Sequence, residues 1–402
     1  MNEAIIAERL ALISPSQTIA MRQRAAAMKR AGRDVLAVSS GEPDFPTPRH
    51  ICDAAIRAIE ANETKYTDIA GTPALRRAVA AKFLRDSGID YAPEEVIVAT
   101  GGKQIIFNAM LATLDPDDEV IIPTPTWVSY PDIAAFAGGR PVLVPCEQNN
   151  GFRLRAEALE AAITSRSKWF ILNNPCNPTG AVYTAEALRP ICEVLLRHPD
   201  VWVLTDDIYE KLTYDGVRAA TVVQAEPRLR SRTLTMNGCS KSYAMTGWRM
   251  GFGAGPAALI RAMDKLQGQS TSNPSSVTQA AALAALTGPQ DCIAEMVATY
   301  RQRRDMVVAM LNAAPGLRCH KPEGAFYVFP SIGGCLGRTT PAGTRIDNDE
   351  TFVLALLEEA GVAAVHGGAF LAPGHFRLSY AADTELLREA CRRIQRFCGG
   401  LR

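Results

Sequence analysis

Between about residues 50 and 255, short apolar runs recur, separated by longer stretches with helical spacing of their apolar positions. The runs are Glu95 to Ala99, Glu119 to Ile122, Pro141 to Val144, Trp169 to Leu172, Val201 to Leu204, Thr233 to Met236 and Met250 to Gly253. They are too short for helices and too uniformly apolar to alternate, so they read as strands buried on both faces. Strands alternating with helices predict an α/β fold, a mainly parallel seven-stranded sheet sandwiched by helices. Such sheets place their chemistry beyond the carboxyl ends of the strands, so the residues just after each run are the ones to search.

The two ends of the chain follow a different pattern. The first 47 residues hold one helical stretch, Thr18 to Ala31, and the connection Ser39-Ser40-Gly41-Glu42-Pro43-Asp44-Phe45-Pro46. Its glycine and prolines would continue neither a helix nor a central strand, so it reads as an ordered crossover loop. After about residue 290 come a long charged helix, short strands near Ala325 to Phe329 and His375 to Ser379, and a basic closing helix around Leu386 to Phe397. Gly333 to Asn348 reads as a polar loop. The expected organisation is a large domain over 48–290, a smaller α+β domain over 291–402, and an amino-terminal segment, 1–47, packing with the small domain.

Composition narrows the classes of function. The 402 residues are 47% hydrophobic and 21% charged, and no apolar run reaches the roughly 18 to 20 residues that a bilayer crossing needs. A soluble protein is expected, without contact to a membrane. The amino terminus shows no basic start, apolar core and small-residue cleavage site in order, which points to the cytoplasm. Forty-three basic against 42 acidic residues leave a formal charge of +1, too little to hold nucleic acid, so small ligands are expected. Ten cysteines and five histidines are scattered without metal-site spacing; reduced thiols and no metal are the expectation.

Four stretches carry candidate chemistry. Thr100-Gly101-Gly102-Lys103 follows a strand and opens the helical run Gln104 to Leu114, so its amides would face outward at a positive helix end and cradle a phosphate. A Gly-Gly turn is more often a plain connection. Thr205-Asp206-Asp207-Ile208-Tyr209-Glu210 delivers carboxylates after a buried strand, where an acid can keep a heterocyclic nitrogen protonated or simply cap a helix. Asn177-Pro178-Thr179-Gly180 would by itself pass for an ordinary turn. The stretch from Ser240 to Gly251 puts Lys241 beyond the strand Thr233 to Met236 and Arg249 eight residues later. An amine whose pKa is lowered by nearby cations suits Schiff-base chemistry, and an arginine fork suits a phosphate dianion.

With these motifs the chain resembles class I aminotransferases of fold type I, pyridoxal-phosphate enzymes, in the bacterial aspartate and aspartate/prephenate branch. The resemblance runs essentially end to end through Gly41-Glu42-Pro43-Asp44-Phe45, Lys65-Tyr66-Thr67, Gly101-Gly102-Lys103-Gln104, Trp127-Val128-Ser129-Tyr130-Pro131, Asn177-Pro178-Thr179-Gly180, Asp206-Asp207-Ile208-Tyr209-Glu210, the Lys241 segment and Arg377-Leu378-Ser379-Tyr380. It implies that Lys241 carries the cofactor as a Schiff base and acts as general base and acid. Asp206, the acid three before Tyr209, would pair with the ring nitrogen. Tyr209 and Asn177 would bond the phenolic oxygen, and Trp127 would stack on the ring. Gly101, Gly102, Ser240 and Arg249 would hold the phosphate beside Lys103, with Tyr66 contributed by the other subunit of a homodimer.

For the substrate, the resemblance assigns the α-carboxylate to Arg377 and the Gly41 amide, beside Trp127 and Asn177. It assigns the distal carboxylate of aspartate, glutamate or prephenate to Lys103 with Ser16 and Thr18. Animal-type relatives use an arginine of the partner subunit there, and the comparable segment Gln269 to Ser276 has none. The expected reaction is transamination between L-aspartate or L-glutamate and 2-oxoglutarate or oxaloacetate, with prephenate as a further acceptor. Departures are Thr126 where many relatives have tyrosine, Cys176 inside the Asn-Pro repeat, and Cys239 two before Lys241. Rival readings are an aminotransferase for aromatic or other neutral amino acids, a non-catalytic regulator with this fold, and an NAD-dependent dehydrogenase suggested by Gly253-Ala254-Gly255-Pro256. In that last run the third small position is alanine, Pro256 stands inside the turn, and no strand-ending acid follows about 20 residues on.

Overall fold

The computed structural model describes residues 5–15 and 17–402. Seven strands form the central sheet: β1 (Val96–Ala99), β2 (Glu119–Thr124), β3 (Arg140–Pro145), β4 (Ser167–Asn173), β5 (Trp202–Asp206), β6 (Thr233–Gly238) and β7 (Gly251–Ala254). Their order is β1-β7-β6-β5-β4-β2-β3, and every pairing is parallel except the two made by β7. β1, β6 and β7 are buried along their whole length, which is why these segments lack the alternation of a half-exposed strand. β3 is one of the two edge strands, and it alone carries two prolines and a largely exposed pattern, as a strand with one unpaired side can.

The antiparallel strand matters for function. Gly251 at its start pairs with Ala99 at the end of β1 and with Gly238 at the end of β6. The segment entering β7 therefore lies at the same edge as the residues leaving the parallel strands. A Cβ on Gly251 would stand 2.2 Å from the Gly102 amide nitrogen, so only glycine allows this approach. Gly253 to Pro256 falls at the end of this strand, outside the parallel strand–helix–strand unit that a dinucleotide fingerprint needs.

Beyond the sheet, three strands pair antiparallel, in the order Val365–His366, Phe376–Ser379 and Tyr327–Val328. Leu36–Ala37 pairs in parallel with Val362–Ala363, and the Ser379 amide donates to Val38 O at 2.8 Å. Met21, Ala25, Val35 and Val38 share one apolar core with Tyr300, Phe326, Leu356 and Ile394. Helix α1 (Gln17–Arg30) and the helices Asp291–Asn312, Asp349–Ala360 and Thr384–Gly399 close this region. The strand expected over Ala325 to Phe329 contracts to Tyr327–Val328, and two-residue strands such as Leu36–Ala37 carry no periodic signal. Among the described residues, no helix is long and apolar enough to cross a membrane, and no cluster of acidic, histidine or cysteine side chains could hold a metal.

Candidate active site

A cavity of about 320 Å³ opens at the carboxyl edge of the sheet. Helix α2 (Gly102–Thr113) points its amino terminus at it. Gly101 just ahead has φ of +90°, and a Cβ there would lie 2.2 Å from Arg249 Nη2. Arg249, itself left-handed at φ +55°, donates to Thr246 O at 2.9 Å. The Gly101 amide donates to Ala99 O at 2.7 Å, so the amides that open α2 from Gly102, the helix dipole and a guanidinium meet in space that even a methyl group would fill.

Asp206 ends β5, is buried, and faces the cavity. Tyr130, on α3 (Ser129–Phe136), donates its hydroxyl to Oδ2, and the Ile208 amide donates to Oδ1 at 3.1 Å. Burial pushes this carboxyl up to about 6 against the opposing hydrogen bond from Tyr130. Asp207, the next residue, turns away: it accepts from Thr205 Oγ1 at 2.7 Å and lines a separate cavity with Glu210 and Thr221. Adjacent side chains of an extended segment point to opposite faces, so one acid reaches the site and the other does not.

Lys241 donates from Nζ to Gly41 O. Its pKa is lowered to about 8, chiefly by burial, with Glu42 opposing and Arg377 and Arg249 adding smaller repulsion. Cations were the expected cause; desolvation comes first. Cys239, two residues earlier, is fully buried and its thiol is pushed up to about 12 by burial, the behaviour of an apolar filler.

Arg377, on the strand Phe376–Ser379, is buried beneath aromatic rings, with Tyr327 and Phe370 centred 4.5 and 4.8 Å from its guanidinium carbon. It donates to Asn177 Oδ1 and to Ser39 O, both at 2.9 Å, while its buried Nε has no partner among the described residues. Tyr327 also bonds Tyr209, hydroxyl to hydroxyl, at 2.8 Å. Lys103 places Nζ 4.7 Å from the centre of the Trp127 ring, and burial lowers its pKa, followed by repulsion from Arg249.

Of the sequence-derived candidates, Thr18, Gly41, Gly102, Lys103, Trp127, Asn177, Asp206, Tyr209, Ser240, Lys241, Arg249 and Arg377 all line this cavity. Gly101 stands behind, against Arg249. Tyr66 is 90% exposed and lies outside the cavity of its own chain. Ser16 lies outside the described residues. Sequence reasoning did not single out Arg22, Tyr130 or Tyr327, which also line the cavity. Tyr130 sits inside a quoted motif, yet nothing local marks its hydroxyl as a partner of Asp206, 76 positions away.

The contacts fit pyridoxal 5′-phosphate from end to end. The Gly101–Arg249 cradle suits its phosphate, and the buried carboxyl of Asp206, costly to ionise there, suits a protonated ring nitrogen. The lysine amine whose pKa burial depresses suits its aldehyde. Fold and cavity together define an α/β enzyme that works through a phosphate-bearing carbonyl cofactor. The family model for aminotransferase class I and II matches residues 33–394, and the chain belongs to that family, whose cofactor is pyridoxal 5′-phosphate. It is 56% identical over 398 residues to the aspartate/prephenate aminotransferase of Cereibacter sphaeroides, covering 99% of this chain and 100% of that one. It is 54% identical to the aspartate aminotransferase of Rhizobium meliloti, over 98% and 96% of the two chains. Among solved structures it is similar to an aspartate aminotransferase from Rhizobium meliloti, at 53% identity over 99% of both chains with a TM-score of 0.96. The aspartate aminotransferase of Thermus thermophilus with maleate matches at 41% identity over 98% and 99% of the chains, TM-score 0.91.

Proposed function

We propose that the protein transfers the amino group between L-aspartate or L-glutamate and 2-oxoglutarate or oxaloacetate, with prephenate as a further acceptor. The observation that carries this reading is a cavity furnished for two carboxylates. Arg377 lies against Asn177, Lys103 lies against Trp127, and Lys241 and Asp206 line the same space. The names of the relatives support aspartate and prephenate among these.

When bound, pyridoxal phosphate supplies an electrophilic carbonyl carbon and a ring that accepts the electron pair released at the substrate α-carbon. Lys241 would hold the cofactor through its amine, and Nζ, once free, would move the proton released at the substrate α-carbon. Asp206 keeps the ring nitrogen protonated. Asn177 spends Oδ1 on Arg377, which leaves its Nδ2 to donate, with Tyr209, to the phenolic oxygen. Trp127, which lines the cavity, would cover the ring. Gly101, Gly102, Ser240, Arg249 and Tyr66 of the partner subunit hold the phosphate beside Lys103. Arg377 and the Gly41 amide take the α-carboxylate, and Lys103 with Ser16 and Thr18 takes the distal one.

This reading makes the chain a homodimer with shared sites. It also divides the chain into a segment 1–47, a large domain 48–290 and a small domain 291–402. The shared core of residues 21–38 with the carboxyl-terminal helices supports the grouping of the first segment with the last. All ten cysteines are free, which suits the cytoplasm.

The test is single-turnover spectroscopy of the purified enzyme with aspartate, glutamate, phenylalanine and alanine in turn. Loss of the visible absorbance of the lysine-bound cofactor is followed, then its return on adding oxaloacetate or prephenate. Rapid conversion by aspartate and glutamate with return on oxaloacetate is expected. Conversion by neutral donors alone would overturn the acidic-substrate reading, and no return on prephenate would remove that acceptor.

A further inference from the structure

We infer that Arg22 is a second cation for the distal carboxylate of the substrate and favours longer dicarboxylates over shorter ones. The inference deepens the proposed function and rests on it. Arg22 stands on α1 one turn after Thr18, and side chains four apart share a helix face. Thr18, Ile19 and Arg22 line the same cavity as Lys103. Arg22 is exposed and, among the described residues, makes no ion pair, unlike Arg24 on the same helix, which pairs with Glu358 at 2.8 Å.

Charge balance supports the assignment. Five basic side chains line the cavity, Arg22, Lys103, Lys241, Arg249 and Arg377, against two acidic ones, Glu42 and Asp206. A cofactor phosphate claims about two of those positive charges at neutral pH. Arg377 serves one carboxylate, and Lys103, held over the Trp127 ring, serves the other. Its ammonium is partly desolvated, repelled by Arg249 and partly offset by Asp132. A guanidinium remains charged at any working pH, is weakly hydrated, and offers a fork that matches a carboxylate. On an exposed arm it meets the end of a five-carbon dicarboxylate more readily than that of a four-carbon one.

The test is calorimetric binding of the unreactive probes glutarate, succinate and butyrate to the holoenzyme, comparing wild type with Arg22→Gln, Arg22→Lys and Lys103→Ala. Because Arg22 is exposed, its variants keep the fold. Arg22→Gln is expected to weaken glutarate about three- to fivefold and succinate by less, the scale of an exposed charge pair. Arg22→Lys should restore part of the loss, and added salt should weaken glutarate less in Arg22→Gln than in wild type. Unchanged glutarate binding in Arg22→Gln, or equal losses for glutarate and succinate, would overturn the inference while a loss in Lys103→Ala left the proposed function standing. Wild-type enzyme binding glutarate no tighter than butyrate would overturn both.

Discussion

Replacing Asp206 by asparagine is expected to stabilise the cofactor-free protein while disabling the holoenzyme. Asp206 is buried, and its pKa rises from 3.8 to about 6, chiefly through burial. Between those values the folded protein holds a proton that the unfolded chain has released, so stability falls as pH rises from about 4 to about 6. Above about 6 the full penalty is present. Two pKa units at 1.36 kcal/mol each make it about 3 kcal/mol. Asparagine still accepts the hydrogen bond from Tyr130 and carries no charge to desolvate. The gain is an upper bound, because Asp206 also supports the positive charge of buried Lys241, as the smallest of its influences. The assay is urea unfolding of both cofactor-free proteins between about pH 4 and about pH 8, where the advantage of the variant should grow up to about pH 6 and then level off. Asp207, pushed up to about 8 by its own burial, remains in both proteins and largely cancels in the difference. A variant no more stable at about pH 8, or an advantage that does not change with pH, would refute the reasoning.

Three further outcomes are expected. Gly101→Ala combines a φ of 90° and ψ of 157°, a region that essentially only glycine enters and that costs another residue about 1–3 kcal/mol, with a Cβ 2.2 Å from Arg249; cofactor affinity, measured by fluorescence titration, should fall, and an unchanged affinity would rule out the cradle. Tyr130→Phe removes a donor to Asp206, so the carboxyl should rise above about 6 by about one to two units; a pH profile of cofactor affinity that does not move would exclude the role. Lys103→Ala should raise KM for aspartate and glutamate by about tenfold or more and leave alanine and phenylalanine nearly unchanged, and equal effects on both groups would take Lys103 out of substrate selection.

Much of the site could be read along the chain because a parallel sheet delivers its functional residues just past its strand ends. Asp206, Lys241 and Asn177 all follow apolar runs, and each lines the cavity. The choice of Asp206 over Asp207 rested on spacing to Tyr209; its physical ground is the alternation of an extended backbone, which turns the second acid into a different cavity.

What the sequence by itself determined, then, is the α/β architecture and the place of Gly101, Gly102 and Lys241 just past strand ends, because these depend on local pattern. Tertiary structure decided the rest. The antiparallel pairing of β7 brings Arg249 against Gly101, two positions 148 residues apart in the chain. Tyr130 reaches Asp206 and Tyr327 reaches both Tyr209 and Arg377 through contacts that no periodicity encodes. Burial, a property of the packed molecule and of no single residue, moves Asp206 up and Lys241 down toward neutrality, since taking a charge out of water disfavours its charged form in either sign.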